Sequence, residues 1–401
     1  MTDINNGFKT IQFALYFTDN DDLDTRVYRF LLSKLLISHT KTYPTKALMH
    51  KKLEELYGAN LYARVERHAN LNIVGVVFTC VNPLIVKDDL LLDQIIELIN
   101  EMFVDRTFFN EDIFLEEKRL LIEQFDSIKD NKRVYANYEF TKLLFGNDLY
   151  GYPLPGRLED IKKVKLDDVM DYYKNQFSNQ DIKIYLNGHI KKYSNLFKTK
   201  CLIKEKDKQF DIDLSFRKPR INLYQEEMTK MNQAIIKLAY ITDIYRFDDL
   251  YEAALCFDLI LGGYPESRLF KEIREKQALC YDVSSGYDYY KGILVITSGV
   301  AKDKKDYALN EIKKLVEDFK VHEISFDELN HAKAYIKHQI QSSMDHQSYL
   351  TKSTFLKRIL NENVSTEERL ERLEKVKIED VLKISKSIIL DTSYALYGGD
   401  K

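Results

Sequence analysis

The sequence predicts an α+β fold built as two similar halves, and three observations carry that prediction. The chain has 401 residues, more than one hydrophobic core usually supports, so two domains of roughly 200 residues are expected. Leu158 to Val169 reads LEDIKKVKLDDV and Leu370 to Val381 reads LERLEKVKIEDV, with 7 of 12 positions identical at an offset of 212 residues. In both places a helix follows, then a strand that closes on glycine: DIKIYLNGH (Asp181 to His189) and TSYALYGG (Thr392 to Gly399). Strands open and close each half with runs of helices between them, which favours an α+β sandwich over a doubly wound parallel sheet. The halves are placed at 1–203 and 221–401. The polar, charged segment from Lys204 to Arg220 reads as the linker between them.

Each element has a local reason. In the first half GFKTIQFALYF alternates as a half-buried strand does, and LNIVGVVFTCV is β-branched and apolar like a buried one. Helical patterns lie near 25–38, 45–57, 88–104, 111–145 and 167–178. In the second half NQAIIKLAYIT reads as a strand, a helix follows over 247–262, and paired strands lie near 281–288 and 292–299. Ser325 and Glu328 form a capping box, each able to satisfy the other's backbone donor. Leu329, Ala332, Ile336, Ile340 and Met344 then recur at helical spacing, predicting one apolar stripe against a sheet.

Composition narrows the function. Hydrophobic residues make up 45% and charged residues 31%, ordinary for a globular chain, and the formal net charge is −3. No field of one sign results, which argues against nucleic acid as a partner. Four cysteines, Cys80, Cys201, Cys256 and Cys280, stand far apart without a CxxC pair, so neither a zinc knuckle nor a disulfide framework is indicated. The opening residues MTDINNGFKTIQF lack a basic and then apolar leader, and no run of about 18 apolar residues occurs. A cytoplasmic protein that does not contact membranes is expected.

Leu261 to Tyr281, LGGYPESRLFKEIREKQALCY, resembles the second-half signature of the pitrilysin, insulysin and mitochondrial processing peptidase family. There a glycine-rich turn precedes S-R-L-F, then an arginine on a helix and a tyrosine seven residues on. ALMHKKLEELYGANLYA (Ala47 to Ala63), EEKRLLIEQ (Glu116 to Gln124) and NDLYGYPLPG (Asn147 to Gly156) are similar to first-half elements in the right order. The resemblance therefore covers essentially the whole chain, duplication included. It implies two homologous α+β halves, each a mainly antiparallel sheet with helices packed on one face.

The resemblance also shows what is missing. Catalytic members carry H-x-x-E-H, in which two histidines on one helix face and a distant glutamate hold zinc while the internal glutamate acts as general base. Matching through TKTYPTKAL puts that motif at Leu31 to Leu35, LLSKL. Leu31 and Leu35 replace the histidines, Lys34 replaces the base, and Gln124 replaces the downstream ligand. Neither H-x-x-E-H nor H-E-x-x-H occurs in any register. The helix also reads as plain core, through Val27, Phe30, Leu31, Leu35 and Ile37. His331 and His338, seven apart with His346 beyond, offer no i, i+4 pair and read as a solvated face.

Arg274 and Tyr281 match the family's arginine–tyrosine pair, which the resemblance implies can hold a substrate carbonyl and stabilise the oxyanion formed on it. From spacing alone, Arg274 among Lys271, Glu272, Glu275 and Lys276 reads rather as one more surface charge, and Tyr281 as sheet filler; the surrounding family signature turns the reading toward function. Gly262 and Gly263 allow a tight turn with close backbone approach, and the resemblance implies substrate binding there. The first reading is thus a zinc-less subunit of a heteromeric metallopeptidase. It needs no cofactor of its own, takes a peptide by strand addition to a sheet edge, and pairs with a zinc-bearing homologue or with itself. The second is a structural or binding scaffold, as respiratory-complex core subunits of this fold are. Chains with this pattern in Gram-positive-like relatives also resemble a component associated with elongation factor P modification. The third is a stand-alone zinc peptidase with atypical ligands.

Overall fold

The computed structural model describes residues 1–104, 106–214, 216, 218–220, 223–321 and 323–399. Ten strands form two five-stranded sheets. In chain order they are β1 (Thr2–Asn5), β2 (Thr10–Asn20), β3 (Asn60–His68), β4 (Leu71–Val81), β5 (Asp181–Gly188), β6 (Leu223–Thr229), β7 (Gln233–Ile241), β8 (Cys280–Asp288), β9 (Ile293–Ala301) and β10 (Ile389–Gly398). The first sheet runs β1-β5-β2-β4-β3 and the second β6-β10-β7-β9-β8, the same order twice. In each sheet one outer pair is parallel, β1 with β5 and β6 with β10, and the remaining pairs are antiparallel.

The helices of the first half are α1 (Arg26–Ser38), α2 (Lys46–Glu55), α3 (Pro83–Val86), α4 (Leu91–Phe103), α5 (Glu111–Asp126), α6 (Lys132–Phe145), α7 (Leu158–Lys163), α8 (Leu166–Asn175) and α9 (Ser194–Lys200). Those of the second are α10 (Tyr251–Asp258), α11 (Lys305–Asp318), α12 (Phe326–Met344), α13 (Gln347–Ile359), α14 (Thr366–Lys375) and α15 (Ile378–Ser387). The sequence repeat is preserved down to single hydrogen bonds. Asp168 accepts from the Lys165 backbone N–H at 2.8 Å, and 212 residues later Asp380 accepts from Lys377 at 3.1 Å. The predicted Ser325–Glu328 capping box is present, with Glu328 N–H donating to Ser325 Oγ at 3.2 Å and Ser325 N–H to the Glu328 carboxylate at 2.9 Å.

Two differences from the sequence reading have clear causes. The pattern over 111–145 is one continuous helix in the sequence, but α5 ends at Asp126 and Asn131 starts a separate helix. Its side chain accepts from the backbone N–H groups of Arg133 and Val134, capping α6 as a new helix. The apolar stripe of α12 is buried only at Leu329 and Ala332; Ile336 and Ile340 are half-buried and Met344 is exposed.

The compact units are interleaved in sequence, where contiguous halves were expected. Met1–Ser127, Tyr152–Ile212 and Ser343–Asn361 make one, and Ile128–Gly151, Asp213–Ser342 and Glu362–Lys401 the other. Each unit thus holds one helix from the opposite half of the chain. In the first, α1, α4, α5 and α8 bury Leu31, Leu35, Ile95, Ile99, Ile113 and Val169 against the face of the sheet carrying Phe13, Leu15, Phe17 and Val76. The other face is covered by α13, where Phe355 stacks on Tyr16 with ring centroids 4.1 Å apart. In the second, Phe257, Ile312, Val316, Val381 and Ile384 pack on Ile236, Leu238 and Ile296. The opposite face receives α6 through Tyr135, Ala136, Phe140 and Leu144. The supposed linker is tied in place along 204–212: Ile182 and Lys206 exchange backbone hydrogen bonds, and Glu205 accepts from the Ile184 N–H. Ser215 and Arg217 of that segment lie outside the described residues.

Candidate functional site

The two loci singled out by the sequence are the α1 helix and the segment from α10 to β8. At the first, α1 is fixed at both ends by buried arginines. Arg26 forks onto Asp21 and donates to the carbonyls of Tyr152 and Pro153 at 3.0 and 3.1 Å. Arg29 reaches the Asn72 carbonyl at 2.8 Å. At the C-terminal end Arg106 donates to the carbonyls of Leu35, Leu36 and His39, beyond the reach of the helix's own backbone N–H groups. Between these anchors Leu31 is 1% and Leu35 0% exposed. Leu32 and Leu36, one residue along, are equally buried, so neither register presents a side chain that could bind a metal. Lys34 is half-buried with its ammonium 5.5 Å above the Phe30 ring.

The surrounding groups are already committed. Gln124 on α5 is exposed. Glu116 and Glu117 both pair with Lys46, at 2.8 and 2.7 Å. His39, just past α1, accepts from the Asn110 N–H on Nε2 at 2.9 Å, so its proton sits on Nδ1 facing Ser38 Oγ. His322 lies outside the described residues. Among the described residues no three His, Cys, Asp or Glu side chains converge as a metal site. Two leucines, a lysine and a glutamine do not fit zinc, which needs lone pairs from nitrogen, sulfur or carboxylate oxygen.

His39 makes this locus sensitive to acid. Burial, aided by the Arg106 charge, pulls its pKa from 6.5 to about 3. The unfolded chain therefore binds a proton below pH 6.5 that the native chain refuses, and stability falls as pH drops from there toward 3. The expected loss from this residue is about 2 kcal/mol at pH 5. Urea midpoints measured from pH 7 to 5 should fall more steeply for the parent chain than for His39→Gln; parallel curves would refute the assignment.

The second locus begins where α10 widens into a π-helical turn over Leu259–Gly263. Gly262 is needed there: a Cβ would lie 2.7 Å from both Leu269 Cδ1 and the Ser285 backbone nitrogen. Its absence lets the turn sit directly on β8. Beneath it Ser285 Oγ donates to Asp258 at 2.6 Å, and burial pushes that carboxyl up to about 6. Gly263 is also tightly placed, its notional Cβ 3.0 Å from Leu259 Cδ2. Both glycines thus have packing roles.

A second π-helical turn, Phe270–Lys276, presents Arg274, whose guanidinium lies 4.6 Å from the Phe270 ring centroid. Neighbouring cations are paired: Arg268 with Glu328, Lys271 with Glu266, Lys276 with Glu272. Arg274 is exposed and has no ion-pair partner among the described residues. Tyr281 is 58% exposed, and its hydroxyl has no hydrogen-bond partner among the described residues. The strand register explains its position. Cys280 pairs with Val300 and Asp282 with Gly299, so Tyr281 is the extra residue of a β-bulge. Burial pushes the Cys280 thiol, next in chain to Tyr281, up, and among smaller influences the Arg274 charge pulls it down.

Sequence reasoning missed Arg133. It lies 149 residues from Asp282, on the helix that enters this unit from the first half, and forms a two-pronged ion pair with it at 2.8 and 2.8 Å. No local spacing signals such a contact.

The two loci thus combine a helix buried in the core, with no metal-ligand cluster among the described residues, and an exposed arginine and tyrosine. Residues 163–336 match the family described as Peptidase M16 inactive domain. The chain is 24% identical over 405 residues to "Probable inactive metalloprotease YmfF" of Bacillus subtilis (strain 168), covering 98% of this chain and 93% of that one. It is 22% identical over 313 residues to "Uncharacterized zinc protease YmxG" of the same organism, covering 75% and 73%. Its fold matches the crystal structure of a conserved protein from Enterococcus faecalis V583 with a TM-score of 0.89 at 24% identity, over 100% of this chain and 96% of that one. Residues 163–336 thus resemble the M16 domain described as inactive, and the chain as a whole is similar to M16-type, pitrilysin-like peptidase homologues. No helix among the described residues is long and apolar enough to cross a membrane.

Proposed function

We propose that this chain is the zinc-less subunit of a two-chain M16 peptidase, supplying peptide binding and carbonyl stabilisation while a zinc-bearing homologue supplies the hydrolytic centre. One contrast carries the reading. Leu31 and Leu35 on α1 are closed into the core, whereas Arg274 and Tyr281 are exposed, carry donors unused among the described residues and are mounted on packed elements. A scaffold would have no need of an exposed guanidinium and an exposed phenol that lack polar partners among the described residues. A guanidinium and a phenol O–H directed at one carbonyl oxygen stabilise the negative charge that develops there during hydrolysis. Gly262 and Gly263 are assigned to the peptide-contacting side of this locus, beyond the packing roles already described. A relative bearing the name zinc protease is the class of partner implied, with a dimer of this chain as the competing assembly. The assigned compartment is the cytoplasm, in keeping with four free cysteines.

The decisive experiment mixes the chain with a zinc-bearing M16 homologue and follows cleavage of a quenched fluorescent peptide. Arg274→Ala should lower kcat by about 10²–10³ without changing assembly on size exclusion. Full turnover by a correctly assembled Arg274→Ala complex rejects the reading and favours the scaffold.

A further inference from the structure

Tyr281 can act on a substrate only if the bulge that carries it keeps one geometry, and β8 lies at the edge of its sheet. An edge strand has a partner on one side only, so a bulge there needs bracing from elsewhere. Three features converge on Asp282, the residue after Tyr281. The Arg133 guanidinium grips its carboxylate with two parallel hydrogen bonds, Nη1 to Oδ2 and Nη2 to Oδ1, each 2.8 Å. Ser298 Oγ donates to its backbone carbonyl at 3.0 Å. Gly299 lies opposite it across the ladder, and a Cβ there would stand 2.5 Å from Asp282 Oδ1 and 3.4 Å from Arg133 Nη2. Arg133 is itself anchored, because Asn131 caps its backbone N–H at the start of α6.

We infer that Arg133, Asp282 and Gly299 form a positioning clamp that fixes the β8 bulge and hence the direction of the Tyr281 hydroxyl. The inference rests on the reading of Tyr281 as a carbonyl donor. The pair is solvent-exposed, with side-chain exposures of 64% and 42%, so it contributes little to global stability. Its value is geometric: a planar fork on a carboxylate fixes orientation as well as distance, which a lysine ammonium cannot do. The helix that carries Arg133 comes from the first half of the chain, so docking of α6 and alignment of Tyr281 are coupled.

The test has two arms. Amide hydrogen exchange on the chain alone should show residues 280–284 exchanging about tenfold faster in Arg133→Ala, with an unchanged urea midpoint. Arg133→Lys should lie between, and Gly299→Ala should act in the same direction as Arg133→Ala. In the complex with a zinc-bearing homologue, Arg133→Ala should lower kcat about tenfold or more at constant KM. The loss should not deepen when Tyr281→Phe is added. Unchanged exchange in Arg133→Ala overturns the clamp. So does a kcat loss that adds in full to that of Tyr281→Phe. Faster exchange together with a fully active Tyr281→Phe complex supports the clamp and instead removes the carbonyl-donor reading on which its purpose rests.

Discussion

Rebuilding the family's metal motif on α1 by Leu31→His, Lys34→Glu and Leu35→His should give a chain that neither binds zinc nor folds. Leu31 and Leu35 lie within the core of the first unit, 1% and 0% exposed. Each substitution removes a buried apolar side chain and leaves an imidazole without a hydrogen-bond partner. Burying an unsatisfied polar group costs about 1–3 kcal/mol, and loss of leucine packing costs roughly 2–5 kcal/mol. The pair therefore removes about 5 kcal/mol or more, comparable with the 5–15 kcal/mol that holds an ordinary domain together. Metal binding does not offset this, because Gln124 is exposed and Glu117 is held by Lys46. Leu35→His alone keeps the test quantitative, with an expected loss near 3 kcal/mol in urea unfolding. A soluble triple variant that takes up one equivalent of zinc by calorimetry would show that α1 is not sealed in this way.

Much of this was legible beforehand, for identifiable reasons. The 212-residue repeat survives as two sheets of identical strand order, because topology was duplicated together with sequence. The absence of H-x-x-E-H is a local fact and needs no structure. The exchange of α6 and α13 could not be read, because its contacts span great separations: Thr351 donates to Gln12 across 339 residues. The pattern over 111–145 gave no hint that its second part joins the other unit, since the apolar spacing runs through the break between Asp126 and Lys132. The bulge at Tyr281 was equally hidden. Alternating residues look the same in sequence whether or not one of them is unpaired, and register is fixed only by the neighbouring strand. The α12 stripe misled for the converse reason: periodicity shows which face could be buried, not how far along the helix a partner extends.

Truncating Phe355 should release α13 from the first unit and cost about 3–5 kcal/mol. Phe355 is 1% exposed, stacked on Tyr16 with rings 9° from parallel, and edge-on to Tyr185 at 6.2 Å. It is the largest buried apolar side chain of a helix that otherwise buries Ile359 and is attached by polar contacts. Thr351 Oγ1 donates to Gln12 at 2.7 Å, Asn187 donates to Thr351 at 2.8 Å, and Gln347 donates to the carbonyls of Thr10 and Asn187 at 3.1 and 2.9 Å. These bonds replace bonds to water and contribute modestly while the interface stays dry. A cavity at Phe355 would admit water beside Gln12 and Asn187, so the polar layer would weaken together with the apolar one. The contrast with α6 sharpens the prediction. That helix buries Tyr135, Ala136, Phe140 and Leu144 on its sheet, so Phe140→Ala leaves three apolar contacts to hold it. Hydrogen exchange should therefore show 347–359 opening in Phe355→Ala while 132–145 stays protected in Phe140→Ala. A loss below about 1 kcal/mol in Phe355→Ala, with α13 amides still protected, would mean that the polar network and Ile359 hold this helix without Phe355.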